Sequence, residues 1–308
     1  MSIFDASGWK SGVFSNQTYH YLSVKPASKD KKTFILFHGF PTGALSFRKI
    51  VPRIVDEGHG VILAEMLGYG GTSRPKEPEA YSRIAMADAV AEILAVEGVE
   101  RGIVMGHDWG VTIATRFVLK YPQLCEGLIL IGFTFIPPEA DPQPMNVQGY
   151  NDMFKPLMGF EPLAFLRCMF NDSPRLASGL MFSDVGALEA NVTADRKPPI
   201  AYWITGEEMR ATVDFVKNQD MEALLNYYQF ALFHFDKGDS DLPKRLKTPY
   251  LYFECQQDPT IAPPIVHAQI EDCDDITIKT LKGGHWVMEE EPDSIIAGIK
   301  EWLATRVA

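Results

Sequence analysis

GIVMGHDWGVTIATRF, residues 102 to 117, is the stretch on which the fold turns. Gly102–Met105 is a short β-branched apolar run of the kind that forms a buried strand. Ile113 and Phe117 mark one face of a following helix. Between them, Gly106-His-Asp-Trp-Gly110 must turn the chain sharply. A strand, a tight turn and a helix, with glycines flanking the turn, make the strained elbow that lifts a nucleophile clear of a sheet. Here the residue at the apex is Asp108 where the common form has serine. An aspartate N-cap after a strand is the ordinary alternative, and the glycine spacing favours the catalytic assignment. Because Asp108 would stand at a helix N-terminus, the helix dipole is expected to hold its pKa low.

Outward from the elbow, the chain alternates strand runs with helical periodicity. Thr33–Phe37, Gly60–Ala64 and Gly127–Ile131 are further predicted strands, and Met86, Val90 and Ile93 share a helical face. Tyr250–Cys255 and Ile276–Leu281 resume the strands, and a helix is predicted from Pro292 to Leu303. This alternation specifies an α/β fold with a mostly parallel sheet flanked by helices. From Pro137 to Arg245 there is no convincing strand run. Pro162 is placed to start a helix, and Thr205-Gly-Glu-Glu208 has the form of a capping box. The expected organisation is a first part of the core at 1–136, an inserted helical cap at 137–245 and a second part of the core at 246–308.

Two further motifs lie at strand ends. His38-Gly-Phe-Pro41 follows the Thr33–Phe37 strand, so that the Phe40 N–H can face the elbow and form an oxyanion hole with the Trp109 N–H. A plain turn is its ordinary alternative. Asp258 follows the Tyr250–Cys255 strand, and His285 follows Ile276–Leu281. An imidazole can take a proton from water near neutral pH, and a carboxylate fixes its tautomer and stabilises the imidazolium. Of the seven histidines, His285 stands out by following the last strand, while His38 and His107 read as supports of their own motifs. Asp258-Pro259 also favours a plain turn.

The choice of aspartate over serine decides the chemistry. A serine attacking a saturated carbon leaves an ether, which water does not readily cleave. A carboxylate leaves an ester, which an activated water hydrolyses. Epoxides and alkyl halides are the substrate classes that fit. The ordered set HGFP (38–41), GYGGTSRP (68–75), GHDWG (106–110), QQD (256–258) and GGHW (283–286) resembles the α/β-hydrolase-fold epoxide hydrolases and their dehalogenase relatives. The resemblance covers nearly the whole core. It is weaker at Glu65, where relatives commonly carry an aspartate shortly before the GYG turn.

The resemblance implies two cap tyrosines whose hydroxyls hold the epoxide oxygen. An early Tyr-x-x-x-Phe pattern falls on Tyr150 to Phe154, and an Asn-Trp-Tyr-Arg pattern falls on Asn226-Tyr-Tyr-Gln229. Carry-over gives Tyr150 and Tyr228, with Tyr227 in place of Trp and Gln229 in place of Arg; which of Tyr227 and Tyr228 faces inward stays open. Tyr228 also shares a helical face with Leu225, so core packing is its alternative role. Phe40, Trp109, Phe154 and Trp286 are expected to line the substrate pocket, which suits a lipophilic epoxide. The implied activity is epoxide hydrolysis to a vicinal diol through an Asp108 ester, with water as co-substrate and no metal or organic cofactor. The alternative is a haloalkane dehalogenase with the same Asp108, Asp258 and His285. Phe40, in the position where dehalogenases often carry a halide-binding Asn, speaks against it, and Trp109 replaces the arginine of fluoroacetate dehalogenases. An intact triad argues against a non-catalytic receptor on the same fold.

Composition narrows the remaining choices. With 308 residues, 46% hydrophobic and 22% charged, the chain can bury a full globular core. A formal net charge of −11 argues against nucleic acid and anionic membranes as partners. The first residues lack the pattern of a signal peptide, and no apolar run reaches membrane-spanning length. Cys125, Cys168, Cys255 and Cys273 have neither metal-ligand spacing nor the density of a disulfide framework, and a cytoplasmic enzyme with reduced thiols is expected.

Overall fold

β-Branched and aromatic runs bounded by glycines and turn residues form the strands of the sheet. The structure is a computed structural model and describes residues 7–138, 161–171, 179–181, 186–194, 196–233, 236, 238–261 and 270–306. In chain order the sheet is built from β1 (Trp9–Phe14), β2 (Gln17–Val24), β3 (Thr33–Phe37), β4 (Gly60–Ala64), β5 (Gly102–His107), β6 (Cys125–Ile131), β7 (Tyr250–Cys255) and β8 (Ile276–Leu281). The spatial order is β1-β2-β4-β3-β5-β6-β7-β8. All neighbours from β4 to β8 run parallel, and the β1–β2 and β2–β4 pairs are antiparallel, so β2 alone runs against the rest.

The six strands expected from the sequence are all present, four of them with the expected ends. The β1–β2 hairpin is an addition to that expectation. Ser15 and Asn16 turn it with φ of 47° and 63°, the double left-handed conformation that suits a two-residue hairpin. Its first strand is half exposed, with Lys10, Ser11 and Val13 at the surface, so no buried run announces it.

Alternation along the buried strands sends side chains to two layers. Phe34, Leu36, Ile103, Met105, Leu251 and Phe253 face a layer with α1 (Ile50–Asp56) and the C-terminal helix, Pro292–Arg306. Ile35, Phe37, Val104, Leu128 and Leu130 face the other, against α2 (Arg83–Glu97) and α3 (Trp109–Lys120). Helices on both faces explain why β3, β4 and β5 are buried along their whole length.

After β6 the chain leaves the sheet, and it returns at β7. Between them lie helices α4 (Pro162–Met169), α5 (Ala187–Thr193), α6 (Gly206–Lys217) and α7 (Met221–Phe233). The described residues of this insertion contain one isolated bridge, Asn171 with Ile200, and no strand. Pro162 opens α4 as expected. The capping box of α6 is complete: Thr205 Oγ1 accepts from the Glu208 N–H at 3.2 Å, and the Glu208 carboxylate accepts from the Thr205 N–H at 2.7 Å. The core grips α6 through Arg48, whose Nη1 donates to Thr212 Oγ1 at 3.0 Å while its guanidinium pairs with buried Glu289 at 3.0 Å.

The Thr205 cap is partly exposed, so its removal tests local helix stability without disturbing the core. Thr205→Ala should lower unfolding free energy by about 1 kcal/mol. Urea denaturation followed by circular dichroism would read this, and an unchanged midpoint would mean that water replaces the cap without loss.

Candidate active site

Parallel strands deliver their C-terminal ends to one edge of the sheet, the edge where open α/β folds build their sites. β3 runs into His38-Gly39-Phe40-Pro41, β5 into Asp108, β7 towards Asp258 and β8 towards His285. Four motifs distant in sequence thus meet at one place.

Asp108 has φ 54° and ψ −128°, a conformation that L residues rarely adopt. The flanking glycines make the turn possible. A Cβ on Gly110 would lie 2.0 Å from the Phe37 carbonyl oxygen, and one on Gly106 would lie 2.8 Å from the Gly110 carbonyl oxygen. Gly39 serves the other side, because a Cβ there would lie 2.1 Å from Asp108 Oδ1. That clearance lets the Phe40 N–H donate to Asp108 Oδ1 at 2.7 Å. The Trp109 N–H also bonds the same carboxylate. Both N–H groups of the expected oxyanion hole therefore converge on Asp108. The Phe40-Pro41 peptide bond is cis.

His285 stands between two carboxylates. Its Nδ1–H donates to Asp258 Oδ2 at 2.8 Å, and its Nε2 faces Asp108 Oδ2 at 3.6 Å, beyond hydrogen-bond length. Asp258 Oδ1 accepts from Thr260 twice, from the N–H at 2.9 Å and from the hydroxyl at 2.6 Å. Burial works to raise the pKa of Asp258, but the charge and hydrogen bond of His285 and the Thr260 bonds hold it below the usual carboxylate range. For His285, burial disfavours the cation, yet the charge and bond of Asp258 and the charge of Asp108 win, and its pKa is pushed up to about 9.

Asp108 corrects the expectation drawn from the helix dipole. Its pKa is raised, because burial outweighs the opposing His285 charge and the Trp109 and Phe40 N–H bonds. A dipole contributes at most ~2 kcal/mol, whereas taking a charge out of water costs several.

His107 is buried, and burial together with the nearby His285 charge lowers its pKa to about 3. Its Nε2 lies 2.9 Å from the His285 carbonyl oxygen, so Nε2 carries the proton and donates. His38 plays a similar part at the other loop: its Nε2 accepts from the Met66 N–H at 2.8 Å. Glu65 is buried beside it and accepts from the Ala44 N–H at 3.2 Å. The departure from the family at Glu65 thus falls on residues that shape the HGFP turn.

Tyr227 and Tyr228, open in the sequence, separate here. The Tyr227 hydroxyl donates to the Leu67 carbonyl oxygen at 2.9 Å, and its ring packs on Tyr81 and Tyr69, inside the core. Tyr228 stands edge-on to Trp109 with centroids 4.9 Å apart and to Phe40 with centroids 5.7 Å apart. Tyr227 also reaches Trp109, with centroids 6.2 Å apart, but Tyr228 is the closer of the pair to the elbow and also meets the HGFP loop. Trp286 packs against His285 and Phe170 at 5.0 and 4.7 Å. Tyr150 and Phe154 lie outside the described residues. Thr260 was not anticipated, although Asp258-Pro-Thr260 has the Asx-turn form in which the N–H two residues on returns to the carboxylate.

Residues 32–292 match the family model described as alpha/beta hydrolase fold. Epoxide hydrolase A of Mycobacterium tuberculosis is 25% identical over 291 residues, which cover 87% of this chain and 89% of that one. Bifunctional epoxide hydrolase 2 of Mus musculus is 24% identical over 94% of this chain, which spans only 56% of that relative's length. Among solved structures, epoxide hydrolase A of Mycobacterium thermoresistibile superposes with a TM-score of 0.77 at 21% identity, covering 96% of this chain and 98% of that one. Epoxide hydrolase I of potato (Solanum tuberosum) gives 0.76 at 17%, again over 96% and 98%. At these identities the structural likeness speaks to the fold.

A histidine whose folded pKa exceeds its unfolded value stabilises fully below the unfolded value and loses that contribution as pH rises through the folded one. His285 should therefore stabilise the fold at pH 6 and progressively less between pH 6.5 and 9. Chemical denaturation of the protein and its His285→Gln variant across that range should show their stability difference shifting against the wild type as pH rises. A constant difference would mean that His285 titrates at its ordinary value.

Proposed function

From the premise that this chain belongs to the α/β-hydrolase family, we propose that it is an epoxide hydrolase that forms and then hydrolyses an ester on Asp108. One observation carries the proposal: a carboxylate, not a hydroxyl, occupies the strained elbow within 2.7 Å of the Phe40 N–H and 3.6 Å of a histidine that is itself bonded to Asp258. The division into core residues 1–136 and 246–308 and a cap at 137–245 belongs to the same proposal, as does a cytoplasmic location.

Asp108 Oδ1 rests on the Phe40 N–H, so Oδ2 is the oxygen that attacks a ring carbon. The carbon–oxygen bond of the ring breaks, and the oxygen takes a proton from a cap phenol, Tyr228 with Tyr150 as partner. Tyr228 is supported by its position against Trp109 and Phe40. His285 returns a proton to the phenoxide, and its neutral ring then takes one proton from water as that water attacks Cγ of the ester, while the other water proton goes to the departing alkoxide. Charge develops on Oδ1, against the Phe40 and Trp109 N–H groups, and the diol leaves as the carboxylate is restored. The sequence balances without a metal or cofactor.

The raised pKa of His285 orders the two halves. While Asp108 is ionised, two carboxylates hold the imidazole protonated. Esterification cancels the Asp108 charge, the smaller of the two carboxylate contributions, so His285 gives up its proton more readily once there is an ester to hydrolyse. Phe40, Trp109 and Trp286 on the core side, with Phe154 from the cap, suit an apolar substrate.

His285→Gln should form the ester and fail to hydrolyse it. Intact mass after mixing with an epoxide should rise by one substrate, and His285→Gln combined with Asp108→Ala should show no adduct. If wild type turns over while the single variant keeps its mass, water attacks the epoxide directly and the ester route is wrong.

An epoxide oxygen stays attached and needs a proton donor, whereas a departing halide needs only N–H groups. Tyr228→Phe and Tyr150→Phe should therefore each slow ester formation by roughly 10²–10⁴-fold, as read by rapid-quench kinetics. Wild-type rates in both variants would make these residues packing groups and direct attention to haloalkanes.

A further inference from the structure

A single buried arginine ties down both ends of the helical insertion. Arg116 lies on α3, roughly 12 Å along that helix from Asp108 at 1.5 Å per residue. It is 2% exposed, and its guanidinium is spent on two chain segments. Nε donates to Asp239 Oδ1 at 2.8 Å, and Nη2 donates to Asp239 Oδ2 at 2.7 Å. Nη1 donates to the Ile136 carbonyl oxygen at 2.7 Å. Ile136 lies where the chain departs after β6, and Asp239 lies where it returns before β7. Beside this clamp, Asp236 accepts from Arg83 Nε at 2.5 Å and from Ser82 Oγ at 2.6 Å.

We propose that Arg116 is a positioning residue that sets the cap, and with it Tyr228, at a fixed distance from Asp108. Asp236 and Asp239 lie three and six residues beyond the end of α7, the helix that carries Tyr228. One rigid helix, α3, therefore holds the elbow at its N-terminal end and the stems of the cap further along. Stability alone does not call for this arrangement, since a buried ion pair gives little more than apolar residues of the same volume. A bidentate fork does something that apolar packing cannot, which is to fix the direction in which each segment leaves. The middle of α7 has its own ties, Tyr227 to the Leu67 carbonyl oxygen at 2.9 Å and Asn226 to the Lys76 carbonyl oxygen at 3.1 Å. Loss of the clamp should therefore loosen the C-terminal end of α7 without detaching the cap.

The kinetic consequence rests on the epoxide proposal above. Ring opening uses Asp108 together with the cap, whereas ester hydrolysis uses Asp108, His285, Asp258 and the Phe40 N–H, all on the core. Arg116→Lys keeps the charge and loses the fork. It should slow ester formation on the order of tenfold to a hundredfold, the scale of an ångström of misplacement, and leave ester hydrolysis unchanged. In a Tyr228→Phe background it should add no further loss. The double variant Arg116→Met with Asp239→Leu removes both charges together, so neither is buried alone, and it should show the same split. Equal slowing of both steps, or a loss that multiplies with that of Tyr228→Phe, would overturn the proposal. Hydrogen exchange supplies a readout free of any substrate. Amides of α7 and of 239–241 should exchange faster in Arg116→Lys while those of β3 and β5 do not, and unchanged exchange in α7 would overturn the proposal. If exchange rises but wild type opens no epoxide, the clamp stands and the epoxide assignment falls.

Discussion

The hydrogen bond from the Phe40 N–H to Asp108 Oδ1, 2.7 Å long, joins the ends of two adjacent strands, β3 and β5. Each of its neighbours is constrained by it. Gly39 must lack a Cβ so that the loop can approach the carboxylate, and Gly110 must lack one so that α3 can close on Phe37. Asp108 adopts φ 54° to present its side chain there. Such backbone costs of order 1–3 kcal/mol and persists because a fully buried parallel sheet leaves the two loops no other course. Under the proposed function, the same N–H first steadies the nucleophile and then receives the oxyanion, so no donor has to move between the steps.

Burial decides the shift of Asp108, whereas charged and hydrogen-bonding partners decide those of Asp258 and His285. Desolvation raises Asp108, while Asp258, supported by His285 and Thr260, stays low. Two chemically identical carboxylates thus acquire different characters on either side of one imidazole. The difference lies in their partners. Asp258 is bonded by His285 and twice by Thr260, whereas Asp108 Oδ2 stays 3.6 Å from the ring. Under the proposed function, the bonds to Asp258 make it a fixed counter-charge and leave Asp108 with an oxygen able to react.

The cap meets the core at several places of different kinds. Tyr228 meets Trp109 and Phe40 through ring edges at the site itself. Arg48 joins α6 to Glu289, close in sequence to His285. Arg116 and Arg83 hold the stem. Apolar contact supplies the area, and directional charge-assisted bonds supply the register, which is the division expected where two layers must meet in one orientation.

Short buried strands and their glycine-flanked turns were legible because burial on both faces leaves a continuous apolar run, and because a tight turn admits few residue types. That is why Thr33–Phe37, Gly60–Ala64 and Tyr250–Cys255 could be bounded from residues alone, and why Asp108 and His285 could be singled out. The β1–β2 hairpin was not legible, since a half-exposed edge strand carries little such signal. Neither was the fate of adjacent residues on one helix: Tyr227 and Tyr228 are the same residue type, and only the surfaces packed around α7 send one to the Leu67 carbonyl and the other to Trp109. Thr260 and Arg116 were hidden for the same reason. Sequence by itself determined which residue types stand at the ends of the strands. Tertiary structure alone decided which of them meet, and at what pKa, because both depend on distances and desolvation that exist only once the layers have packed.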